Sequence, residues 1–91
     1  MNQLDLNNRT AIVTGGASGI GEATVRRMIS SGANVVIWDV QTDKFKKFEK
    51  ESQCIQVDMA SEEAVYQALE LTLKSHSKID ILVNSEIGRA H

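Results

Sequence analysis

The chain has 91 residues, 42% of them hydrophobic and 24% charged, with 10 basic against 12 acidic side chains and a formal net charge of −2. That balance provides no basic patch to hold a nucleic acid, and no stretch approaches the ~20 consecutive apolar residues of a membrane span. A single cysteine, Cys54, rules out an internal disulfide framework, and Met1-Asn2-Gln3-Leu4-Asp5 has no basic segment leading into an apolar core, so no secretory signal is expected and a cytoplasmic setting is the default. With no proline, repeat, low-complexity stretch or linker, the sequence reads as one domain.

The first predicted strand lies near 10–14, an apolar run Thr10-Ala11-Ile12-Val13. It leads directly into Thr14-Gly15-Gly16-Ala17-Ser18-Gly19-Ile20-Gly21. Glycines there let the backbone turn tightly and let a ligand approach with no Cβ in the way. A helix is predicted from Gly19 to Ser31, with Ile20, Ala23, Val25, Met28 and Ile29 as its apolar surface and Gly32 in a left-handed position just past its end. The start of that helix points unpaired N–H groups and its positive dipole end at the turn, which makes an anion site of the kind that holds a pyrophosphate. The plainer alternative is a glycine-rich turn with no ligand.

A second strand is predicted near 34–39, where Ala33-Asn34-Val35-Val36-Ile37-Trp38 is an apolar, β-branched run suited to burial on both faces. Asp39 ends it, about 20 residues past the glycine turn, where a ribose-binding carboxylate is expected. A carboxylate there accepts hydrogen bonds from ribose hydroxyls and repels a 2′-phosphate, and neither Ser18 nor Val40 carries a charge to attract one, so the residues favour NAD over NADP. The bland alternative is a strand-end Asp that starts a turn or caps a helix.

Thr42 is placed to cap a second helix reaching about Lys50. Its Phe45 and Phe48 lie three apart, so the lysine-rich stretch 44–50 reads as a solvated basic face over an apolar stripe. A third strand is predicted near 54–57, with Cys54 a buried small hydrophobe. Ser61 is placed to cap a third helix that carries Glu62 and Glu63 in its first turn and Val65, Ala68, Leu69, Thr72 and Leu73 as its stripe. Tyr66 is expected to be partly buried in it, and His76 to lie near its end. A fourth strand is predicted near 79–84. Neither His76 nor His91 has a metal-like or triad-like partner nearby, so no metal site is expected.

Strands alternating with helices and joined by right-handed crossovers imply a parallel sheet, and the dinucleotide-fold rule gives the order 3-2-1-4. The fourth strand then forms an apolar edge of Ile79, Ile81, Leu82 and Val83, a pairing hazard. Self-association through that strand, as a homo-oligomer, is expected.

The spacing Thr-Gly-x-x-x-Gly-x-Gly from Thr14 to Gly21 resembles the fingerprint of the short-chain dehydrogenase/reductase family. Asp58 after Cys54-Ile55-Gln56-Val57, and Ile79-Asp80-Ile81-Leu82-Val83-Asn84, are similar to that family's adenine-contacting Asp and to the strand that leads into its Asn-Asn-Ala-Gly motif. The likeness runs from about Leu6 to Asn84. It implies an α/β fold of Rossmann type, a three-layer parallel sheet in truncated form. It also implies a nucleotide-binding half-domain over 1–84, followed by a divergent tail at 85–91.

The resemblance further implies a dinucleotide cofactor lined by Gly15, Ser18, Gly19, Ile20 and Gly21 at the pyrophosphate, with Asp39 at the ribose, Asp58 and Met59 flanking the adenine and Asn84 near the middle. After Asn84 the chain reads Ser85-Glu86-Ile87, which departs from the family motif. The family's catalytic Tyr-x-x-x-Lys pair is not matched, because the one tyrosine, Tyr66, is followed four residues on by Glu70. The expectation is therefore the cofactor-binding portion of an NAD-dependent oxidoreductase acting on a secondary alcohol or ketone, truncated and inactive by itself. A non-catalytic nucleotide-binding or self-assembling module is the alternative.

Overall fold

The computed structural model describes residues 5–17 and 19–85. Four strands, β1 (Thr10–Thr14), β2 (Asn34–Asp39), β3 (Ser52–Gln56) and β4 (Ile81–Asn84), form one sheet in the order β3-β2-β1-β4. Every pairing is parallel, with Thr14 opposite both Trp38 and Asn84, and Asp39 opposite Gln56. Helices α1 (Gly19–Ser30) and α2 (Glu62–Ser75) make two of the crossovers, and the 3-10 segment Thr42–Phe48 lies in the third. The order expected from the sequence is the order observed.

The strands build two cores because successive side chains point to opposite faces. On one face Val13, Val35, Ile37, Val25, Ala33 and Phe48 pack together, joining α1 and the 3-10 segment to the sheet. On the other, Ile12, Val36, Trp38, Val57 and Ala68 pack together beneath α2. A sheet covered on both sides explains why β1 is buried at all five positions and β2 at every position after Asn34. Two buried polar side chains of this second core, Trp38 and Thr72, find partners, whereas Ser52 Oγ and Gln53 Oε1 on β3 are buried without one among the described residues. Trp38 Nε1 donates to Thr72 Oγ1 at 3.3 Å, and that hydroxyl donates to the Ala68 carbonyl at 2.8 Å.

The ends of α2 follow its sequence signals. Ser61 Oγ accepts from Ala64 N at 3.2 Å, and the His76 N–H closes the other end on the Thr72 carbonyl at 2.9 Å. Gly32 takes a φ of 95° just past α1, in the left-handed region. Ahead of β4, Asp80 ties the fourth strand to the first. Its Oδ2 accepts the Thr10 N–H at 2.9 Å while its own N–H donates to the Thr10 carbonyl at 2.9 Å. The Thr10 N–H, helped by Lys78 and Arg9, holds the Asp80 carboxyl below the usual carboxylate range. At the surface, Lys47 and Arg26 do the same to Glu22, at 2.9 and 3.2 Å.

Several sequence expectations give way. The segment after β2 is a 3-10 helix that ends at Phe48, and Gln41 rather than Thr42 holds its cap position, with no side-chain cap bond. Strand β3 starts at Ser52, two residues earlier than its apolar run suggests, and β4 starts at Ile81. Tyr66 is 62% exposed instead of partly buried, and Leu73 is exposed as well. Ile20 and Ala23 in α1 also face solvent, leaving Val25 with Met28 and Ile29 to pack on the sheet. Cys54 is half-buried, and burial raises its thiol pKa. Leu82 on β4 is 66% exposed, while Val83 and, ahead of the strand, Ile79 pack against the two cores, so the apolar edge is narrower than the sequence implies.

Candidate functional site

All four strands run in one direction, so their C-terminal ends converge. That end carries Thr14 and Gly15, Asp39, the Val57-Asp58-Met59 turn and Asn84. The crevice where the strand order reverses, between β1 and β4, is the place where open α/β sheets bind ligands.

The glycine-rich turn leaves β1 with the Gly15 N–H bonded to the Trp38 carbonyl at 2.8 Å. Gly19 opens α1 at a φ of 61°, a conformation that costs a side-chain-bearing residue about 1–2 kcal/mol, and a Cβ there would meet open space. A Cβ on Gly21 would collide with the Gly15 carbonyl. The first turn of α1 therefore packs closely on the loop that leaves β1, and a helix start of this kind carries N–H groups with no partner inside the helix. This arrangement suits an anionic diphosphate, and it carries the case that these residues fit a dinucleotide. Ile20, at 62% exposed, lies on the open side of the turn. Ser18 lies outside the described residues.

Asp39 is only 8% exposed, yet its carboxylate is held from two sides by main-chain donors. Ala17 N–H donates to Oδ2 at 3.2 Å and Gln41 N–H donates to Oδ1 at 3.0 Å. Its carbonyl accepts from Val57 N at 3.1 Å, which fastens the end of β3 alongside. Asp58 and Met59 follow on the exposed rim, and Asp58 Oδ1 accepts the Ala60 N–H at 2.9 Å to fix the turn. On the far side, Thr14 Oγ1 donates to Asn84 Oδ1 at 2.9 Å, while the Ser85 hydroxyl and N–H both donate to the Thr14 carbonyl.

The structure thus brings Gly15, Gly19, Gly21, Asp39, Asp58, Met59 and Asn84 to one end of the sheet. It does not bring Tyr66 or the half-buried His76 there: Tyr66 is on an outer face of α2, and His76 caps the C-terminal end of that helix. Two groups at this end escape a reading of the sequence. Thr14 orients Asn84 through its hydroxyl, a role that its place in the fingerprint does not reveal. The Ala17 N–H is a backbone group with no signature in residue type. Among the described residues no cluster of three or more His, Cys, Asp or Glu could hold a metal, and no helix is long and apolar enough to cross a membrane.

Residues 9–86 match the short chain dehydrogenase family. The chain belongs to that family. A (+)-cis,cis-nepetalactol synthase from Nepeta racemosa is 38% identical over 86 residues, covering 88% of this chain and 32% of the relative. A 3-hydroxyacyl-CoA dehydrogenase type-2 from Drosophila melanogaster is 35% identical over 83 residues, covering 87% of this chain and 32% of that protein. Among solved structures, a citronellol catabolism dehydrogenase from Pseudomonas aeruginosa superposes with a TM-score of 0.83 at 32% identity, over 92% of this chain and 38% of that one. A 3-ketoacyl-(acyl-carrier-protein) reductase from Brucella melitensis, complexed with NADH, gives 0.81 at 32% identity over 86% of this chain and 34% of that one. The short-chain dehydrogenase chain described here therefore spans about a third of the length of the relatives it matches.

Proposed function

We propose that this chain is the adenosine- and pyrophosphate-binding portion of an NAD-dependent short-chain dehydrogenase/reductase, whose whole enzyme interconverts a secondary alcohol and a ketone. When bound, the nicotinamide dinucleotide supplies the hydride acceptor or donor. Residues 1–84 form the binding unit; of the 85–91 segment read as a tail, only Ser85 lies among the described residues, bonded to the Thr14 carbonyl. Gly15, Ser18, Gly19, Ile20 and Gly21 line the pyrophosphate, Asp39 takes the ribose hydroxyls, Asp58 and Met59 flank the adenine, and Asn84 lies near the middle of the cofactor. The observation that carries this reading is the close-packed glycine turn at the start of α1 with a buried carboxylate beside it. The choice of NAD over NADP rests on Asp39, because a 2′-phosphate would meet a carboxylate. A cytoplasmic setting accords with a single cysteine.

The chemistry does not complete within these 91 residues, which pair no Tyr with a Lys four positions on. The expected result is saturable binding of NAD by calorimetry, with tighter binding than NADP and loss of binding in Asp39→Ala. No turnover of a secondary alcohol is expected. NADP binding as tight as NAD would overturn the cofactor assignment, and measurable turnover would overturn the catalytic one.

Self-association belongs to the same proposal. Leu82 is 66% exposed in the middle of β4, the last strand on its side of the described sheet. An edge of this kind recruits another strand. Sedimentation should show a concentration-dependent dimer that Leu82→Lys weakens, and a monomer at the highest soluble concentration would sink the idea.

A further inference from the structure

We infer that Asp39 is a positioning residue for the glycine-rich loop, acting before any ligand arrives, in addition to the ribose role proposed above. An ionised carboxylate offers about four lone-pair sites. Two are committed to main-chain donors from different segments: Ala17 N–H in the glycine-rich loop at 3.2 Å, and Gln41 N–H in the turn after β2 at 3.0 Å. Among the described residues no other donor is bonded to it. The side chain therefore bridges the loop after β1 to the turn after β2.

The backbone repeats this link. Gly15 N–H bonds to the Trp38 carbonyl at 2.8 Å and Val57 N–H bonds to the Asp39 carbonyl at 3.1 Å. Asp39 and the residue before it thus tie the starts of three connections into one rim. Ala17 is 0% exposed, and its bond to Asp39 is buried, so loss of the carboxylate leaves a buried N–H that has lost its partner. Charge-assisted bonds to backbone N–H groups are about twice as strong as neutral ones. An Asn could accept only one of the two N–H groups, because its other terminal atom is itself a donor.

The ligand arm of the test rests on the proposed function; the exchange arm does not. Asp39→Ala and Asp39→Asn are made in the 91-residue chain. Amide hydrogen exchange without ligand is read at Ala17, with Gly15 as the neighbouring control, because its partner is the Trp38 carbonyl. Protection at Ala17 should fall by about tenfold or more in Asp39→Ala, and protection at Ala17 or Gln41 should fall in Asp39→Asn, with Gly15 unchanged. Unchanged protection at Ala17 in Asp39→Ala and at both amides in Asp39→Asn overturns the inference.

The second arm is a titration with inorganic pyrophosphate, which never reaches the ribose position. Removing a negative charge near an anion site should on Coulomb grounds tighten pyrophosphate binding. A cradle that loses its support should instead bind it more weakly. Weaker binding in both variants supports a positioning role, and equal or tighter binding reduces Asp39 to a ribose ligand. If the unmodified chain fails to bind pyrophosphate, the phosphate part of the proposed function fails and the exchange arm alone decides. If Asp39→Ala unfolds, seen as lost protection at Ile12 and Val36 as well, Asp39→Asn decides both arms.

Discussion

Replacing Phe48 by Ala is expected to destabilise the chain by about 3–5 kcal/mol, the range for deleting a buried aromatic side chain. Phe48 is 0% exposed and packs with Val13, Val25, Ala33, Val35 and Ile37, although it comes from a short 3-10 segment and not from a helix or strand. With the partly buried Phe45, it fastens that segment to the sheet. Arg26 and Lys47 lie over its ring, 5.1 and 5.6 Å from the centroid, and each adds roughly 0.5–1 kcal/mol of cation–π attraction that the alanine forfeits. A domain of this length has only about 5–14 kcal/mol of stability in total. The variant should therefore unfold at a markedly lower urea midpoint with an unchanged slope. A loss below about 1 kcal/mol would mean that the 3-10 segment contributes little to the core, contrary to the burial of Phe48.

What the sequence reveals and what it hides divide along physical lines. The strand order, both cores and the meeting of Gly15, Asp39 and Asn84 at one end follow from patterns that run over many residues. Ile12 and Val13 alternate faces, Gly32 breaks α1, and Asp39 stands at the end of an apolar run. Each of these signals agrees with the others, which makes the fold legible.

The errors fall where a single residue must choose between near-equal environments. Tyr66 follows Val65 in α2 and is turned about 100° from it, off the stripe that packs on Trp38 and Val36. Ser52 and Gln53 extend β3 because Val35 and Val36 pair with them in the ladder, a tertiary demand that overrides their own polar character. Thr42 has the right side chain for a cap, but the chain enters the 3-10 segment one residue earlier, just after Asp39 has taken the Gln41 N–H. The link from Ala17 to Asp39 is illegible for a different reason. It is made by a backbone donor, and its direction is set only once the loop has folded.

The second large effect is expected at Gly21. A Cβ there would overlap the Gly15 carbonyl oxygen and come within 2.8 Å of the Gly15 carbonyl carbon and the Gly16 Cα, all of them backbone atoms that no side-chain rotation can move aside. Gly21→Ala must therefore push the start of α1 away from the end of β1. Gly16 differs, because its added Cβ would meet Val25 Cγ2 at 3.1 Å and Val13 Cγ1 at 3.2 Å, two side-chain neighbours, as well as the Val13 carbonyl at 3.2 Å. Forced overpacking costs about 1–3 kcal/mol. If that strain falls on the bound geometry of the cradle, NAD affinity should drop roughly tenfold to a hundredfold by calorimetry. Gly16→Ala should lose less. The two effects on Gly21→Ala separate by experiment: urea unfolding reports the cost to the fold, and titration of the still-folded protein reports the cost to the site. If Gly21→Ala bound NAD as tightly as the unmodified chain, the N-terminus of α1 would not be where the pyrophosphate lies. The close approach of helix to strand would then serve packing alone.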